Sequence, residues 1–199
     1  MFDLFKKLLM AGQIRFEEGN IAFLNERVVI TTAELFISLM DKFKDDEGTC
    51  LNFYLASKHS HVKGFSEAVS EKYKLKQMEL AKWLINTGGV CGWGKMKFTA
   101  EDNQNKMFII EVRDGVSKNL KSNTAIDHFL RGQIAGGAFV SFNIDFDCIE
   151  RKCIAAGDDC CEFVIKPRED FIKNGVSKKY AGQIFSKDEI KKLKIPILK

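Results

Sequence analysis

No apolar run in the 199 residues approaches the length of about 20 needed to cross a bilayer as a helix. No membrane span is expected. There is no internal repeat and no low-complexity tract, so no repeat array or biased linker has to be placed. Catalytic fingerprints are missing too. No G-x-S-x-G, H-E-x-x-H or dinucleotide motif occurs. Gly89 to Lys95 has the spacing of a phosphate-binding loop, but Met96 replaces the Ser or Thr that would hold magnesium. The chain beyond it reads as a strand where that motif needs a helix, so the segment is taken as a connecting loop. Histidine is scarce, at three residues. His59 and His61 stand two apart, face different sides of a helix, and read as ordinary surface or core residues. The opening MFDLFKKLLMAG carries an early acid and too short an apolar run for a signal peptide, so cytoplasmic residence is expected.

What is present suits one soluble core. The hydrophobic content is 45% and the net charge is +4. Charge is unevenly placed: from Lys173 onward eight lysines face only Asp188 and Glu189, a net of +6, which leaves −2 for the rest. A basic tail can meet nucleic acid or anionic lipid, but a solvated segment explains it more simply. No direct nucleic-acid binding is expected.

Periodicity gives the order of elements. Residues 1–10 read as a short amphipathic helix. Gln13–Glu17 and Arg27–Thr31 read as strands joined through Glu18-Gly19-Asn20, with Phe23 and Leu24 assigned to the second. Thr32 caps a helix to about Phe43. A longer helix from Cys50 towards Lys72 is interrupted at Gly64, and another from Leu75 to Thr87 is stopped by Gly88-Gly89. Two antiparallel strands, Trp93–Thr99 and Lys106–Arg113, are followed by a polar connector, a helix from near Thr124 and a closing strand pair. Ser186 to Glu189 has capping-box spacing for a short terminal helix. The fold class is α+β, an antiparallel sheet packed with helices in a sandwich-like arrangement. The expected domain spans residues 1–167, its motif-bearing part 124–166, with a basic extension over 168–199.

Asp127 to Phe163 is the most informative stretch. It reads as a glycine-bearing helix, a strand, a tight turn at Gly157-Asp158 and a second strand. Four of the six cysteines lie between Cys148 and Cys161. In a cytosolic chain such a cluster suggests metal more than disulfides. Glu150 ends an apolar row of Ile144, Phe146 and Cys148. An unpaired carboxylate there is costly, so Glu150 either binds a cation or lies beyond the strand end beside Arg151 and Lys152. Cys153 has the opposite parity, so a common site requires a bulge. Cys161 shares the inward face of the last strand with Phe163 and Ile165; Cys160 faces away. Two buried thiols acting as small hydrophobes would explain Cys153 and Cys161 equally. At the helix start, Asp127 could serve the helix dipole or a cation, and His128 competes with it. Gly132, Gly136 and Gly137 inside a helix each cost up to about 1 kcal/mol relative to Ala, so a sheet, a partner or a ligand must approach closely.

The ordered pattern Gly132, Gly136, Glu150, Cys153, Gly157-Asp158 and Cys161-x-Phe163 resembles the 4-vinyl reductase domain family. That resemblance implies the α/β fold shared with tethering-complex subunits and with NO-signalling and Golgi-transport ligand-binding domains. It implies a zinc site of Asp127, Glu150, Cys153 and Cys161, with Asp127 where the family usually has cysteine. With four protein ligands, such a zinc is structural. It also implies a pocket for a small hydrophobic or aromatic molecule, walled by Phe129, Gly132, Gly136 and Phe139, with Ile134 and Phe142 as further lining, and a homodimer. A binding or sensing module is the expected function. A reductase-like enzyme or tetrapyrrole-binding protein is the alternative, lowered by the missing redox motif; a protein–protein scaffold is a third.

Overall fold

The computed structural model describes residues 2–24 and 26–185, and of residues 2–5 the backbone alone. The architecture is α+β, with helices packed on antiparallel sheets. Helix α1 (Phe2–Met10) leads into a three-stranded meander of β1 (Ile14–Glu17), β2 (Asn20–Phe23) and β3 (Glu26–Val28). Of the strand expected over Arg27–Thr31 only Arg27 and Val28 belong to β3, and Phe23, assigned to it, lies in a separate strand, β2. Gly19, at φ +69°, supplies the left-handed residue between Glu17 and Asn20, which pair directly. Leu24, also at positive φ, begins a second reversal that sequence periodicity does not register.

Four helices follow: α2 (Ala33–Phe43), α3 (Glu47–His61), α4 (Glu67–Tyr73) and α5 (Gln77–Val90). Asp46 caps α3, accepting from Thr49 N at 3.1 Å and Thr49 Oγ1 at 2.8 Å. A single π turn over Val62–Ser66 separates α3 from α4, around the expected interruption at Gly64. Helix α5 runs through Gly88-Gly89 instead of stopping there. A Cβ on Gly88 would lie 2.9 Å from Met96 Sδ, so the glycine serves close packing, and the reversal falls at Gly92 and Gly94, both at positive φ.

The main sheet has the order β4 (Lys95–Asp102), β5 (Met107–Arg113), β7 (Cys161–Pro167), β6 (Phe146–Lys152), all antiparallel. Phe108, Ile110, Val112, Phe146, Cys148, Phe163 and Ile165 turn one face towards α3 and α6 (His128–Phe142), forming the principal core. The opposite face, with Ile149 and Val164, is covered by Phe171 of α7 (Arg168–Asn174) and by Val176, Tyr180 and Ile184. The chain beyond Pro167 thus packs on the sheet: Arg168, Phe171, Gln183 and Phe185 are all buried. The helix expected at Ser186 to Glu189 lies outside the described residues.

Strand β6 is an edge strand, yet its outward main-chain groups are buried. Three long side chains satisfy them at period two. Lys58 Nζ donates to Phe146 O at 2.5 Å, Arg131 Nε to Cys148 O at 2.9 Å, and Gln183 Nε2 to Glu150 O at 3.0 Å. Asp147, 1% exposed, accepts from Tyr54 Oη at 2.5 Å and Arg168 Nη1 at 2.7 Å, and pairs with Lys58 at 3.4 Å. No helix among the described residues is long and apolar enough to cross a membrane.

Candidate metal centre and apolar cavity

Four elements converge at one end of the main sheet. Asp127 occupies the N-cap position of α6, but its carboxylate caps nothing. It accepts from Ser117 Oγ at 2.8 Å and Cys161 Sγ at 3.3 Å. Glu150 precedes a register shift between Glu150 and Lys152, and that bulge turns Cys153 to the same side. Cys161 opens β7 opposite. Gly157, at φ +96°, closes the connector, and Asp158 Oδ2 holds Cys153 N at 2.8 Å.

The ligand-capable atoms of Asp127, Glu150, Cys153 and Cys161 all lie within 4.8 Å of one another, and all four residues are buried. A tetrahedral zinc with bonds of roughly 2.0 to 2.3 Å would set its ligand atoms roughly 3.3 to 3.8 Å apart. The widest separation needs to contract by about 1 to 1.5 Å. Two sulfurs and two carboxylate oxygens suit zinc among the common divalent ions. One atom waits for a partner: Glu150 Oε2 accepts from Asp127 N at 3.0 Å, but buried Glu150 Oε1 has none among the described residues. These four residues could hold a metal ion.

Electrostatics follow from burial. The Asp127 carboxyl is raised above the ordinary range by desolvation. Glu150 is raised well above it, by desolvation first and by Asp127 and Cys153 next. Contact with Cys161 draws Cys153 down to about 6, while the same contact and burial raise Cys161. The metal-free site therefore keeps protons that a cation would displace. His128, the competing candidate, is turned to Arg131, its Nδ1 lying 2.7 Å from Nη1; burial and that guanidinium hold the ring neutral, near 3.

Ser117 and Gln183 were missed by sequence reasoning. Ser117 reaches Asp127 from a turn in the polar connector, and Gln183 comes from the lysine-rich extension. No spacing rule links either to the motif. Glu150 and Cys153 also border a polar cleft of about 500 Å³ walled in part by Lys179, Tyr180 and Gln183.

A second, apolar cavity of about 230 Å³ lies between α5, α6 and the main sheet. Its α6 wall is Leu130, Gln133, Ile134, Gly137, Ala138 and Phe142. Ile134 and Phe142 were expected there. Phe129, Gly132, Gly136 and Phe139 are not on this wall; helix phase explains why. Gly132 and Gly136 face α3 instead, where an added Cβ would lie 2.3 Å from Tyr54 O and 2.6 Å from Lys58 O. Phe129 stacks on Trp93 at 5.5 Å between ring centroids, outside the wall that Trp93 itself helps line. Polar groups on the lining are few: Thr87, Gln133, the Trp93 indole and His61, which burial lowers to about 4 and so leaves neutral. An engineered apolar cavity of roughly 150 Å³ already accepts benzene, so this one has room for a substituted single ring.

No protein-family profile matches the chain, and no curated protein matches it in sequence. Solved structures do share its fold. The phenol-responsive sensory domain of the transcription activator PoxR, solved with phenol, superposes with a TM-score of 0.71 at 14% identity, covering 94% of this chain and 93% of that one. A trafficking protein particle complex subunit 3 from Naegleria fowleri, covalently bound to palmitic acid, gives 0.52 at 12% identity over 67% of this chain and 89% of that one. A vinyl-4-reductase family protein from Methanocaldococcus jannaschii aligns at 19% identity over 72% and 85%, with a TM-score of 0.48, too low to bear on the fold. At these identities the likeness concerns architecture: the chain has the fold of a ligand-responsive sensory domain and of a trafficking-complex subunit.

Proposed function

We propose that this protein is a small-molecule binding and sensing module of the 4-vinyl reductase type, with a structural zinc at Asp127, Glu150, Cys153 and Cys161. The observation that carries the reading is the apolar cavity of about 230 Å³ in the fold of a phenol-responsive domain. Its lining selects an apolar or aromatic ring, and its few neutral polar groups suit a single hydroxyl or similar substituent. Four protein donors leave zinc no open position, so the ion holds the closing hairpin to α6 and does no chemistry. The six free thiols suit a reducing compartment such as the cytoplasm. A homodimer belongs to the same reading, supported by exposed Phe16, Val29, Ile30 and Leu35.

The test combines metal content, mass and binding. Native mass spectrometry of the purified protein is expected to give one zinc per chain and a dimer. Phenol and methylphenols should raise the melting temperature in a concentration-dependent way. If none of a panel of monocyclic aromatics binds, even at millimolar concentration, the sensing reading is wrong. If the wild type carries no zinc after growth and reconstitution with it, the metal reading is wrong independently.

A further inference from the structure

Glu150 is held from outside the metal cluster. Its main-chain N–H and C=O both point to the free edge of β6, where one side chain takes both. Gln183 Oε1 accepts from Glu150 N at 2.7 Å, and Gln183 Nε2 donates to Glu150 O at 3.0 Å. The amide acts as a short stand-in for a neighbouring strand, placed at the residue where the ladder is about to bulge. Gln183 is itself fixed, because Arg131 Nη2 donates to its carbonyl oxygen at 2.6 Å. Arg131 is fully buried on α6, one turn beyond Asp127, and its remaining nitrogens bind Cys148 O and His128 Nδ1. One residue of the C-terminal segment thus contacts both the strand that carries Glu150 and the helix that carries Asp127.

The rest of that segment is anchored locally. Tyr180 Oη donates to Arg151 O at 3.3 Å, Ile184 packs with Ile149 and Val164, and Arg168 donates to Phe185 O. Tyr180, Gly182 and Gln183 also wall the cleft onto which Glu150 and Cys153 open. Closing the cleft and orienting Glu150 are therefore performed by the same turn, Lys178–Gln183.

We infer that Gln183 is a positioning residue for the metal centre, and that metal occupancy and the docking of residues 178–185 stabilise each other; this rests on the metal reading above. Among the described residues Glu150 Oε1 has no hydrogen-bond partner, and a cation would give it one. A Glu150 main chain free to move would present that oxygen loosely, and a bound cation would hold the main chain where Gln183 can grip it. Such coupling is reciprocal by thermodynamic necessity.

The experiment uses the full chain with zinc alone as the probe. Zinc affinity is measured by competition with a chromogenic chelator for wild type, Gln183→Ala, Gln183→Glu and Tyr180→Phe, each first shown folded by circular dichroism. Removing a supporting hydrogen bond to a metal ligand commonly costs about 10- to 100-fold in affinity, so a loss on the order of tenfold is expected for Gln183→Ala. Gln183→Glu, which keeps the acceptor for Glu150 N and loses the donor to Glu150 O, should lose affinity as well. Tyr180→Phe, which removes only an exposed hydrogen bond of 3.3 Å from the same segment and touches neither polar group of Glu150, should lose far less than Gln183→Ala. Amide hydrogen exchange then separates positioning from general stability. Zinc should slow exchange over 178–185 in wild type and not in Gln183→Ala. Equal zinc affinity in wild type and both Gln183 variants, or exchange over 178–185 indifferent to zinc, overturns the inference while leaving the metal site standing. A wild type that takes up no zinc removes the metal reading and the clasp with it.

Discussion

Gly132→Ala offers the sharpest test of how α6 is seated. The added Cβ would sit 2.3 Å from Tyr54 O and 2.9 Å from Lys58 N, where about 3.4 Å is an ordinary contact. Both obstacles are α3 backbone, so no side chain can rotate away. Either α3 or α6 must retreat by about an ångström along a tightly packed face. Overpacking of this kind costs about 1 to 3 kcal/mol, and a backbone clash argues for the upper end. Replacing a mid-helix glycine by alanine returns up to about 1 kcal/mol in helix propensity. The net expectation is about 2 kcal/mol of destabilisation, or a melting temperature lower by about 4 to 8 °C for a chain of this size. Gly64→Ala is the matched comparison, since nothing lies within 4 Å of its Cβ position. It should be neutral or stabilising. Urea and thermal unfolding followed by circular dichroism measure both. A Gly132→Ala protein as stable as Gly64→Ala would refute the close approach of α3 to α6, and with it the account of why the cavity uses the other face of the helix.

Further outcomes follow from the same geometry. Cys153→Ser and Cys161→Ser should each lose zinc by elemental analysis, while Cys50→Ser, distant in the sequence and outside the cluster, keeps it. Ala138→Leu places a larger side chain on the cavity wall and should abolish the melting-temperature rise given by phenols while the circular dichroism spectrum is retained. Asp147→Ala would leave Arg168 buried without its carboxylate, while Lys58 keeps Asp145 at 2.7 Å, a loss of about 3 kcal/mol by urea unfolding. In metal-free protein the buried Asp127 and Glu150 should subtract stability as pH rises, against His61 and His128, lowered by burial to about 4 and about 3, which add it over the same range. Burial raises the Asp127 and Glu150 carboxyls above their ordinary values of 3.8 and 4.5, so the folded state binds more protons than the unfolded chain. The stability those protons confer is complete below about pH 4 and is lost as pH climbs through the raised values. Cys153, lowered to about 6, acts in the opposite sense and adds stability only as pH rises above that. Zinc should reverse the trend. Urea midpoints from pH 4 to 6 for metal-free wild type and an Asp127→Asn, Glu150→Gln double variant isolate the carboxyls from His61 and His128, and the same pH dependence in both proteins counts against buried, proton-bearing carboxyls.

Local pattern made the architecture legible, and it failed where distant segments decide. Period-two alternation put Phe108, Ile110 and Val112 on one face of β5 and Ile109 on the other, as observed. Opposite parity at Glu150 and Cys153 demanded a bulge, and the register shift is there. Spacing could not say which flank of α6 met which neighbour. Three glycines in six residues mark close approach, but only the packing of α3 shows that two of them serve it while Gly137 borders the cavity. The short strands β2 and β3 escaped because a reversal at Leu24 puts an apolar residue where turn chemistry predicts Gly, Asn or Asp. Gln183 was invisible because a glutamine amide bonded to a β edge leaves no trace in composition or period.

The metal centre is best judged by asking what else could justify its residues. Filling space at the junction of α6, β6 and β7 needs only apolar side chains, and buried ionisable groups are often replaced by such side chains without loss. Here two carboxyls and two thiols are buried within 4.8 Å, with no basic side chain bonded to either carboxylate among the described residues. The nearby buried basic side chains are committed elsewhere: Arg131 to carbonyls and His128, Lys58 to Asp145 at 2.7 Å and Phe146 O, and Arg168 to Asp147. A packing role would therefore bury two carboxyls without a basic partner beside two thiols, at a cost in desolvation that leucine and alanine would avoid. A divalent cation removes that cost at once: it takes the place of the protons, gives Glu150 Oε1 its partner, and ties the connector between β6 and β7 to the head of α6.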